Sequence, residues 1–510
     1  MEKFIESVTN INGVINDFVW VKIGLVILIG TGVLLTVLLG FFQITNIKHW
    51  MSKTIGAVFH KDSHVKNETG SVSQFQALCT ALAATIGTGN IAGVSSAICV
   101  GGPGAVFWMW VAAFFGMMTN FSENVLGIYY RRRNKDGEWS GGAMYYLRDG
   151  LGKIPGYETI GRVLATFFAL FAILASFGIG NMGQINKITI NIQSAFFESS
   201  DPVMLTAGIP LVNLIIGVVL MIIAGVIIIG GLKRIAAVAE RVVPLMALLY
   251  VVGALIITLI HFTNIGAMFA SIFKFAFGVK AVAGGAVGIT VQQVITQGCK
   301  RGVFSNEAGL GSSVMVHSNS NVKEPVKQGL WGIFEVFADT FIVCTMTAIV
   351  VLSSGQIDLN TGLPVEGVSD ATLVAKAFGS IFGKPGEWFV AIAILLFAFT
   401  TVLGWSHYGS KSVEYLFGET GVRIYRFIFT IMVVLGSIMT SSLAWDISDT
   451  FNGLMMVPNL IAVVALSPVV VRITRNYVDR KIKGKDIEPM LSVFEDIQEE
   501  NAKAVARGEE

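Results

Sequence analysis

The 510-residue sequence contains few charged residues, few prolines and few cysteines. Asp, Glu, Lys and Arg make up 14% of it, whereas a soluble globular domain contains about 25% charged residues. Hydrophobic residues make up 53%, which excludes both a disordered chain and a row of ordinary soluble domains. Because 36 basic residues are balanced by 34 acidic ones, the chain has no basic surplus for a nucleic-acid partner.

Residue patterns that would indicate a metalloprotein or a hydrolase are also missing. The four cysteines are far apart and form no Cys-x-x-Cys pair, so neither a disulfide framework nor a zinc site is expected. The sequence contains no Gly-x-Ser-x-Gly, His-Glu-x-x-His or phosphate-loop motif. No polar stretch is long enough to form a soluble catalytic domain. We therefore expect the function to lie inside a membrane and the protein not to be an enzyme.

Long apolar segments fill most of the chain. A bilayer core of ~30 Å needs about 20 apolar residues per helix. The sequence contains eleven such segments, near 18–43, 75–100, 104–130, 160–185, 210–231, 235–261, 282–299, 328–354, 386–410, 422–443 and 452–472. It therefore predicts an all-α polytopic membrane protein with about 11 transmembrane helices. The charged tail 473–510 is expected to be a solvated cytoplasmic helix or a disordered end.

The distribution of lysine and arginine predicts the orientation, because cytoplasmic loops carry an excess of both. If the C-terminus is cytoplasmic, eleven spans place the N-terminus outside. The inside stretches then contain 28 of the 36 basic residues. The outside loops 196–209 and 444–451 carry acidic residues and no basic ones.

The second apolar segment contains a predicted helix break. It reads Thr85-Ile-Gly-Thr-Gly-Asn-Ile-Ala-Gly93, and glycine costs about 1 kcal/mol per helix position relative to alanine. Irregular backbone survives in a membrane only where partners satisfy its polar groups, and a bound ion or substrate can do so. The alternative is close helix packing through Gly89 and Gly93. The three polar side chains Thr85, Thr88 and Asn90 favour a binding site.

A second glycine-interrupted segment is predicted five spans later, near 284–298. A pair of interrupted helices in corresponding positions is typical of secondary transporters with inverted repeats. The predicted organisation is an extra N-terminal helix over 1–45, a first repeat over 75–262 whose first helix breaks at 87–90, and a second repeat over 263–472.

Two further runs resemble a known family. Gly101-Gly-Pro-Gly-Ala-Val-Phe-Trp-Met-Trp-Val-Ala-Ala-Phe-Phe-Gly-Met117 and Gly302-Val-Phe-Ser-Asn-Glu-Ala-Gly-Leu-Gly-Ser-Ser313 resemble the sodium:alanine symporters, the alanine or glycine:cation symporter family. The resemblance covers about residues 15 to 475. It implies a leucine-transporter-type fold of five-plus-five inverted repeats, and sodium-coupled import of alanine or glycine across the cytoplasmic membrane.

The resemblance also implies individual site residues. Sodium would be bound by the carbonyls of Ala83, Ile86 and Phe397 and by the hydroxyls of Thr400 and Thr401. The substrate carboxylate would bind N–H groups near Gly87 to Gly89, and its ammonium group would face carbonyls near Ala84 and Thr85. The full substrate set expected is Ala84, Thr85, Gly87, Thr88, Gly89, Asn90, Phe167, Gly285, Gly288, Thr290, Gln292 and Gln297.

Two other functions remain open at this point. Glu335 and Asp339 are four residues apart and share a helix face, so a proton relay and proton-coupled amino-acid transport stay possible. A channel-like or ligand-sensing protein of the same fold is the less favoured alternative. The residues predict no oligomeric state.

Overall fold

The computed structural model describes residues 2–58, 71–197, 203–204, 209–278, 290–366, 368–369, 372–439 and 442–508. These residues are almost entirely helical, apart from one short antiparallel hairpin, β1 (Arg132–Arg133) and β2 (Trp139–Ser140). The N-terminal helices are α1 (Glu2–Asp17), α2 (Leu25–Leu38), α3 (Phe42–Thr45), α4 (Ile47–Lys53), α5 (Ile55–Val58), α6 (Gln74–Thr85), α7 (Val94–Gly101), α8 (Gly104–Tyr129), α9 (Ala143–Asp149), α10 (Glu158–Phe177), α11 (Gly183–Phe197) and α12 (Leu211–Ile229).

The C-terminal part of the chain is also helical, and its helices begin at Gly231. They are α13 (Gly231–Ile260), α14 (Ile265–Phe277), α15 (Val291–Asn306), α16 (Val314–His317), α17 (Pro325–Val336), α18 (Thr345–Ser353), α19 (Leu373–Phe382), α20 (Lys384–Ile438), α21 (Ser442–Ala465), α22 (Ser467–Tyr477) and α23 (Glu495–Ala506). Wider π-helical segments lie at Phe18–Gly24, Gly89–Gly93, Gly178–Met182, Phe337–Cys344 and Val478–Ile482, and short 3-10 turns lie at Leu151–Lys153 and Phe262–Asn264.

Among the described residues, fewer helices than the eleven predicted are long and apolar enough to cross a membrane. The described ranges contain eight such helices, or nine if the bent pair Gln74–Thr85 and Gly89–Gly101 is one span. The predicted segment 386–410 and most of the predicted segment 422–443 fall in α20. The predicted segment 282–299 begins outside the described ranges and continues into α15. The count of eleven therefore stays a prediction.

Helix α20 is too long to be a single straight span. Its 55 residues would extend about 80 Å at ~1.5 Å per residue, whereas the bilayer core is ~30 Å thick. Gly418 interrupts it with non-helical dihedral angles, φ 70° and ψ −171°. A positive φ of this kind suits glycine, which has no Cβ. Gly418 therefore marks the kink at which the two apolar parts of α20 separate.

The predicted break near 284–298 is wrong for the described part of that range. Thr290 caps a regular helix through its side chain, which accepts from the backbone N–H of Gln293 at 3.2 Å, and the helix continues to Asn306. The break comes at Glu307, whose φ is +56°. A helical capping box at 290–293 satisfies the free N–H groups there, so the glycines before it do not unwind the residues that follow.

The N-terminal helices pack on the rest of the bundle. Gly32 of α2 lies against α8, where an added Cβ would come 2.8 Å from the Cβ of Phe115. Gly453 of α21 lies against the π-helical segment Phe18–Gly24, where an added Cβ would come 2.6 Å from Val19. Trp20 in that segment is fully buried.

Part of the charged tail is docked on the bundle, whereas residues 481–488 are exposed, and Glu495–Ala506 forms a helix. The backbone N–H of Val493 donates to the Tyr129 carbonyl at 3.1 Å. Arg133 and Glu500 form an ion pair at 2.8 Å, and Leu491 is fully buried. The sequence concealed this docking because its few apolar anchors lie among many charged residues.

Candidate functional site

The predicted break of the second apolar segment is present. Helix α6 ends at Thr85, and the ψ angle of Ile86 is 86°, far from the helical value of about −42°. The chain becomes helical again in the π-helical segment Gly89–Gly93, and the two halves meet at a bend of 50°. All residues from Ala83 to Gly89 except the glycines are less than 4% exposed, so the break lies inside the bundle.

Side chains satisfy the N–H groups that the break leaves free. The side-chain carbonyl of Asn90 accepts from the backbone N–H of Gly87 at 2.9 Å. The side-chain carbonyl of Gln184, on α11, accepts from the backbone N–H of Thr88 at 3.2 Å. The amide nitrogen of Gln184 is held by the Ile179 carbonyl at 3.0 Å. The break is therefore an ordered site with outward-directed N–H donors, the arrangement that binds carboxylates.

Asp339 connects this break to the last turn of α15. Its Oδ1 accepts from the Asn90 side-chain amide at 2.6 Å and from the Ser305 hydroxyl at 3.0 Å. Its Oδ2 accepts from the Thr340 hydroxyl at 2.9 Å. Asp339 lies in the π-helical segment Phe337–Cys344, and π-helical turns occur frequently at functional sites.

The second break lies close to the first. Glu307 leaves the helical conformation directly after α15, and its Oε2 accepts from the Ser312 hydroxyl at 2.5 Å. The Asn306 side chain accepts from the backbone N–H of Ala308 at 3.0 Å. A Cβ added to Gly89 would come 3.2 Å from both Phe304 and Ser305, so the π-helical segment after the first break contacts the last turn of α15, directly before the second break.

Thr401 joins α20 to the carbonyl end of the broken helix. Its hydroxyl lies 3.0 Å from the Ala83 carbonyl and 3.1 Å from the Phe397 carbonyl. The Thr400 hydroxyl lies 2.9 Å from the same Phe397 carbonyl and 3.0 Å from that of Leu396, and it also contacts the Met246 sulfur at 3.6 Å. Thr401 is thus within hydrogen-bond distance of two other expected sodium ligands, the carbonyls of Ala83 and Phe397. Carbonyl and hydroxyl oxygens are hard ligands, which suit a cation such as sodium.

A small cavity lies over the first break. Its volume is about 10 Å³, roughly enough for one water molecule. The lining combines both breaks with α11, α20 and α21: Ala84, Thr85, Gly87, Gly89, Ile179, Gln184, Phe304, Glu307, Thr401, Trp405 and Asn452. The site is therefore closed, and a substrate would enter only after the side chains around it move.

Several expected site residues lie elsewhere. Phe167 is 49% exposed on α10 and stacks on Phe171, so its assignment to the pocket is wrong. Thr290 caps α15 and is exposed, as is Gln292. Gln297 contacts Gly101, where an added Cβ would come 3.0 Å from it, and none of these three lines the cavity. Gly285 and Gly288 lie outside the described residues.

The expected site residues did not include six of the lining residues: Ile179, Gln184, Phe304, Glu307, Trp405 and Asn452. The run Gly178-Ile-Gly-Asn-Met-Gly-Gln184 is a polar, glycine-rich interruption of an apolar helix, and it forms the π-helical segment Gly178–Met182. Trp405 follows Thr401 by one helical turn, so both face the same side of α20. These two signals could have found Gln184 and Trp405.

The protein is closed on the side of the hairpin β1–β2 as well. The backbone of Val72, just before α6, pairs with that of Asn319 and Asn321 at 3.2 and 2.9 Å. The buried guanidinium of Arg131 donates to the carbonyls of Ser318 and Ser320, at 3.1 and 2.6 Å, and to that of Val322. Arg131 thus fixes the segment that follows α16.

Two discontinuous helices that meet at a buried polar centre define a secondary transporter. Residues 5–491 match the sodium:alanine symporter family. The chain belongs to this family. It is a sodium-coupled amino-acid symporter, and it is not an enzyme.

Individual relatives agree with this assignment. The sodium/alanine symporter AgcS of Methanococcus maripaludis is 41% identical over 473 residues, covering 92% of this chain and 98% of AgcS. The "Probable sodium/glutamine symporter GlnT" of Bacillus subtilis is 35% identical over 488 residues, covering 95% and 93%.

A solved structure confirms the predicted fold. The crystal structure of MhsT in complex with L-phenylalanine matches with a TM-score of 0.50 at 14% identity, covering 80% of this chain and 99% of that one. The leucine-transporter-type fold is therefore confirmed. The repeat boundaries 75–262 and 263–472 stay predictions.

Proposed function

We propose that this symporter imports alanine and glycine together with sodium, by alternating access across the cytoplasmic membrane. The observation that carries the proposal is the closed cavity over the break at 86–88. It combines backbone N–H donors that side chains now satisfy, carbonyl oxygens and a small volume. The name of AgcS supports alanine as a substrate, and the small cavity supports a substrate with a short side chain.

The substrate carboxylate would bind the N–H groups between Gly87 and Gly89. The Gln184 side chain now accepts from the Thr88 N–H at 3.2 Å, so its carbonyl oxygen stands in for one carboxylate oxygen. The ammonium group would face the carbonyls of Ala84 and Thr85, which the end of α6 leaves without helical partners. The rings of Phe304 and Trp405 would then limit the size of the substrate side chain.

The co-transported sodium would bind where Thr401 now lies between two carbonyls. The Thr401 hydroxyl lies about 3 Å from each of the carbonyl oxygens of Ala83 and Phe397. The carbonyl of Ile86 and the hydroxyl of Thr400 would complete the set, after Thr400 turns away from its own helix. No carboxylate is required for a monovalent cation at this position.

A second candidate coupling ion is the proton. It is favoured by one observation, the fully buried Asp339 carboxyl group that lies between the two breaks. Glu335, four residues earlier, is hydrogen-bonded to His317 at 3.0 Å and to Asn120 at 3.3 Å. A buried chain of this kind could carry a proton in place of sodium or alongside it.

The orientation belongs to the same proposal. The charged hairpin β1–β2, the loop after α16 and the docked tail would face the cytoplasm, and the N-terminus would lie outside. Helix α15 continues to Asn306, so Lys300 and Arg301 leave the set of inside residues. The remaining excess of lysine and arginine still supports this direction.

The deciding experiment is alanine uptake into proteoliposomes, with sodium varied independently on the two sides. Accumulation that follows the inward sodium gradient at constant pH supports the proposal. Accumulation that follows a pH gradient without sodium would favour the proton and contradict the sodium site. A panel of unlabelled competitors tests the substrate, because glycine should compete well and larger amino acids poorly.

A further inference from the structure

The N-terminal helix α1 reaches an ion pair next to the substrate cavity. Lys300 of α15 and Asp449 of α21 lie 2.6 Å apart, and their side chains are only 15% and 8% exposed. Lys300 is four residues before Phe304, and Asp449 is three residues before Asn452. Both Phe304 and Asn452 line the cavity. The ion pair therefore bridges the two helices one turn beyond the cavity, on the side that the proposed orientation places outside.

The side chain of Asn16 contacts both members of this ion pair. Its amide nitrogen donates to Oδ2 of Asp449 at 3.1 Å and to the Thr450 hydroxyl at 3.0 Å. Its amide oxygen accepts from the Lys300 ammonium group at 3.3 Å. An asparagine side chain has one acceptor and two donors, so it can serve an anion and a cation together.

Trp20 also contacts both members of the ion pair. Its indole N–H donates to the backbone carbonyl of Asp449 at 3.1 Å, and its ring lies 5.4 Å below the Lys300 ammonium group. The π-helical segment Phe18–Gly24 carries Trp20 into this position, and the ring is fully buried. The N-terminal helices thus bind Asp449 through a side-chain and a backbone contact.

We propose that Lys300 and Asp449 form the outer gate of the transporter, and that Asn16 and Trp20 are positioning residues that hold this gate closed. A path from outside to the cavity between α15 and α21 has to separate the ion pair. The contacts of Asn16 with the ion pair and of Trp20 with the Asp449 backbone oppose this separation. The additional N-terminal helix therefore sets the balance between the closed and the outward-open state.

The proposal predicts a particular change in transport kinetics. Substrate from outside binds only the open gate, so its apparent affinity rises with the open population. Asn16→Ala should lower the external alanine KM, by up to about tenfold, the factor expected from one hydrogen bond to a charged group. Vmax should stay the same or fall, because the gate closes less readily. Asn10→Ala, an exposed asparagine on the same helix, is the matched control and should behave like the wild type.

The experiment measures initial uptake rates in proteoliposomes for the wild type, Asn16→Ala, Trp20→Phe and Asn10→Ala. Trp20→Phe retains the buried ring and loses the N–H donor. A lower KM in both gate variants and a wild-type KM in Asn10→Ala support the proposal. An unchanged or raised KM in correctly folded gate variants would overturn it. The wild type alone tests whether alanine is transported, so failure of the proposed substrate is seen separately.

Two double variants show whether the N-terminal helix acts through Asp449. Asn16→Ala should change KM no further in the Asp449→Asn background. Separately, the exchange Lys300→Asp with Asp449→Lys should transport better than either charge reversal alone. Additive effects of Asn16→Ala and Asp449→Asn, or an exchange that transports no better than the single reversals, would show that these side chains do not form a common gate.

Discussion

Asn90 donates a 2.6 Å hydrogen bond to Asp339, and this bond joins the break of the first discontinuous helix to the π-helical segment Phe337–Cys344. The same Asp339 oxygen accepts from Ser305, one residue from the end of α15. A movement at either break therefore alters the hydrogen bonds of Asp339 at the other. Coupling of substrate and ion binding has a direct structural route through one carboxyl group.

Asp339→Asn tests whether this carboxyl group carries a proton. The asparagine side chain retains an acceptor for Asn90 and cannot release a proton at physiological pH. If sodium is the only coupling ion, uptake should persist, reduced by less than about tenfold, and its pH dependence should stay that of the wild type. The measurement is sodium-driven alanine uptake between pH 6 and 8, a range given as a rough physiological window.

Glu335→Gln is the matched variant for Asp339→Asn. It removes the other carboxyl group of the pair and retains an acceptor for His317 and Asn120. Loss of pH-driven uptake in both variants, with binding of alanine retained, would support the proton relay instead. Asp339→Ala is expected to destabilise the protein, by about 1–3 kcal/mol, because the Asn90 and Ser305 donors lose their buried acceptor.

Gly89→Ala and Gly93→Ala separate a binding site from simple helix packing. A Cβ at Gly89 would come 3.2 Å from Phe304 and Ser305, which is tighter than an ordinary contact, whereas a Cβ at Gly93 would meet only the Thr88 carbonyl at 3.9 Å. We expect Gly89→Ala to reduce alanine uptake at least about tenfold and Gly93→Ala to be close to the wild type. Overpacking of this kind typically costs about 1–3 kcal/mol. Equal losses in both variants would favour packing through a Gly-x-x-x-Gly surface.

Thr401→Ala should raise the sodium KM, by about tenfold, while the protein still folds. Among the described contacts, the Thr401 hydroxyl is the side-chain oxygen that lies within hydrogen-bond distance of both the Ala83 and the Phe397 carbonyl. Thr401→Ser retains the hydroxyl and should restore the wild-type sodium KM. The measurement is the sodium dependence of alanine uptake at a fixed, saturating alanine concentration.

Thr400→Val asks whether the second predicted hydroxyl is a sodium ligand. Its hydroxyl is now directed to its own helix and to the Met246 sulfur. A raised sodium KM would show that Thr400 turns toward the ion in the bound state. An unchanged value, with Thr401→Ala impaired, would leave Thr401 as the hydroxyl ligand. An unchanged sodium KM in Thr401→Ala would contradict the proposed ion site as a whole.

Phe304→Ala and Phe167→Ala compare a cavity aromatic with an outward-facing one. Phe304 lines the cavity, so its loss should enlarge the pocket and allow valine or leucine to compete with labelled alanine. Phe167 is 49% exposed, and its replacement should leave substrate selection unchanged. Competition assays in the two variants check this difference. A change of selectivity in Phe167→Ala would show that Phe167 contributes to the substrate pocket.

The first break was predictable from sequence because two glycines and three polar side chains interrupt an apolar helix at Thr85–Asn90. Within the described residues, the second break comes later than predicted. The prediction rested on the glycines near 284–288, which lie outside the described residues, whereas the described turn uses a positive φ at Glu307, a non-glycine residue that gives no such signal. Phe167 shows a second limit: in a membrane both the buried and the lipid-facing sides of a helix are apolar, so hydropathy cannot separate them.

Long-range hydrogen bonds were beyond sequence reasoning for a related reason. Glu123 accepts from the Asn459 side chain and, at 3.4 Å, from the Gly309 backbone. Arg131 begins a run of three arginines and is fully buried. Which polar groups meet in a bundle depends on helix rotation and depth, and neither is encoded in a local pattern.

Arg131→Lys tests whether this buried guanidinium stabilises the segment that follows α16. It donates to three backbone carbonyls and lies 3.9 Å from the centre of the Trp139 ring, which the single ammonium group of lysine cannot reproduce. We expect a loss of stability of about 1–3 kcal/mol, because buried carbonyls lose their donors. The measurement is thermal unfolding of the detergent-solubilised protein. Arg133→Lys is the control: its ion pair with Glu500 is partly exposed and should contribute less than about 1 kcal/mol. Equal melting temperatures for the two variants would show that Arg131 does not hold the segment after α16.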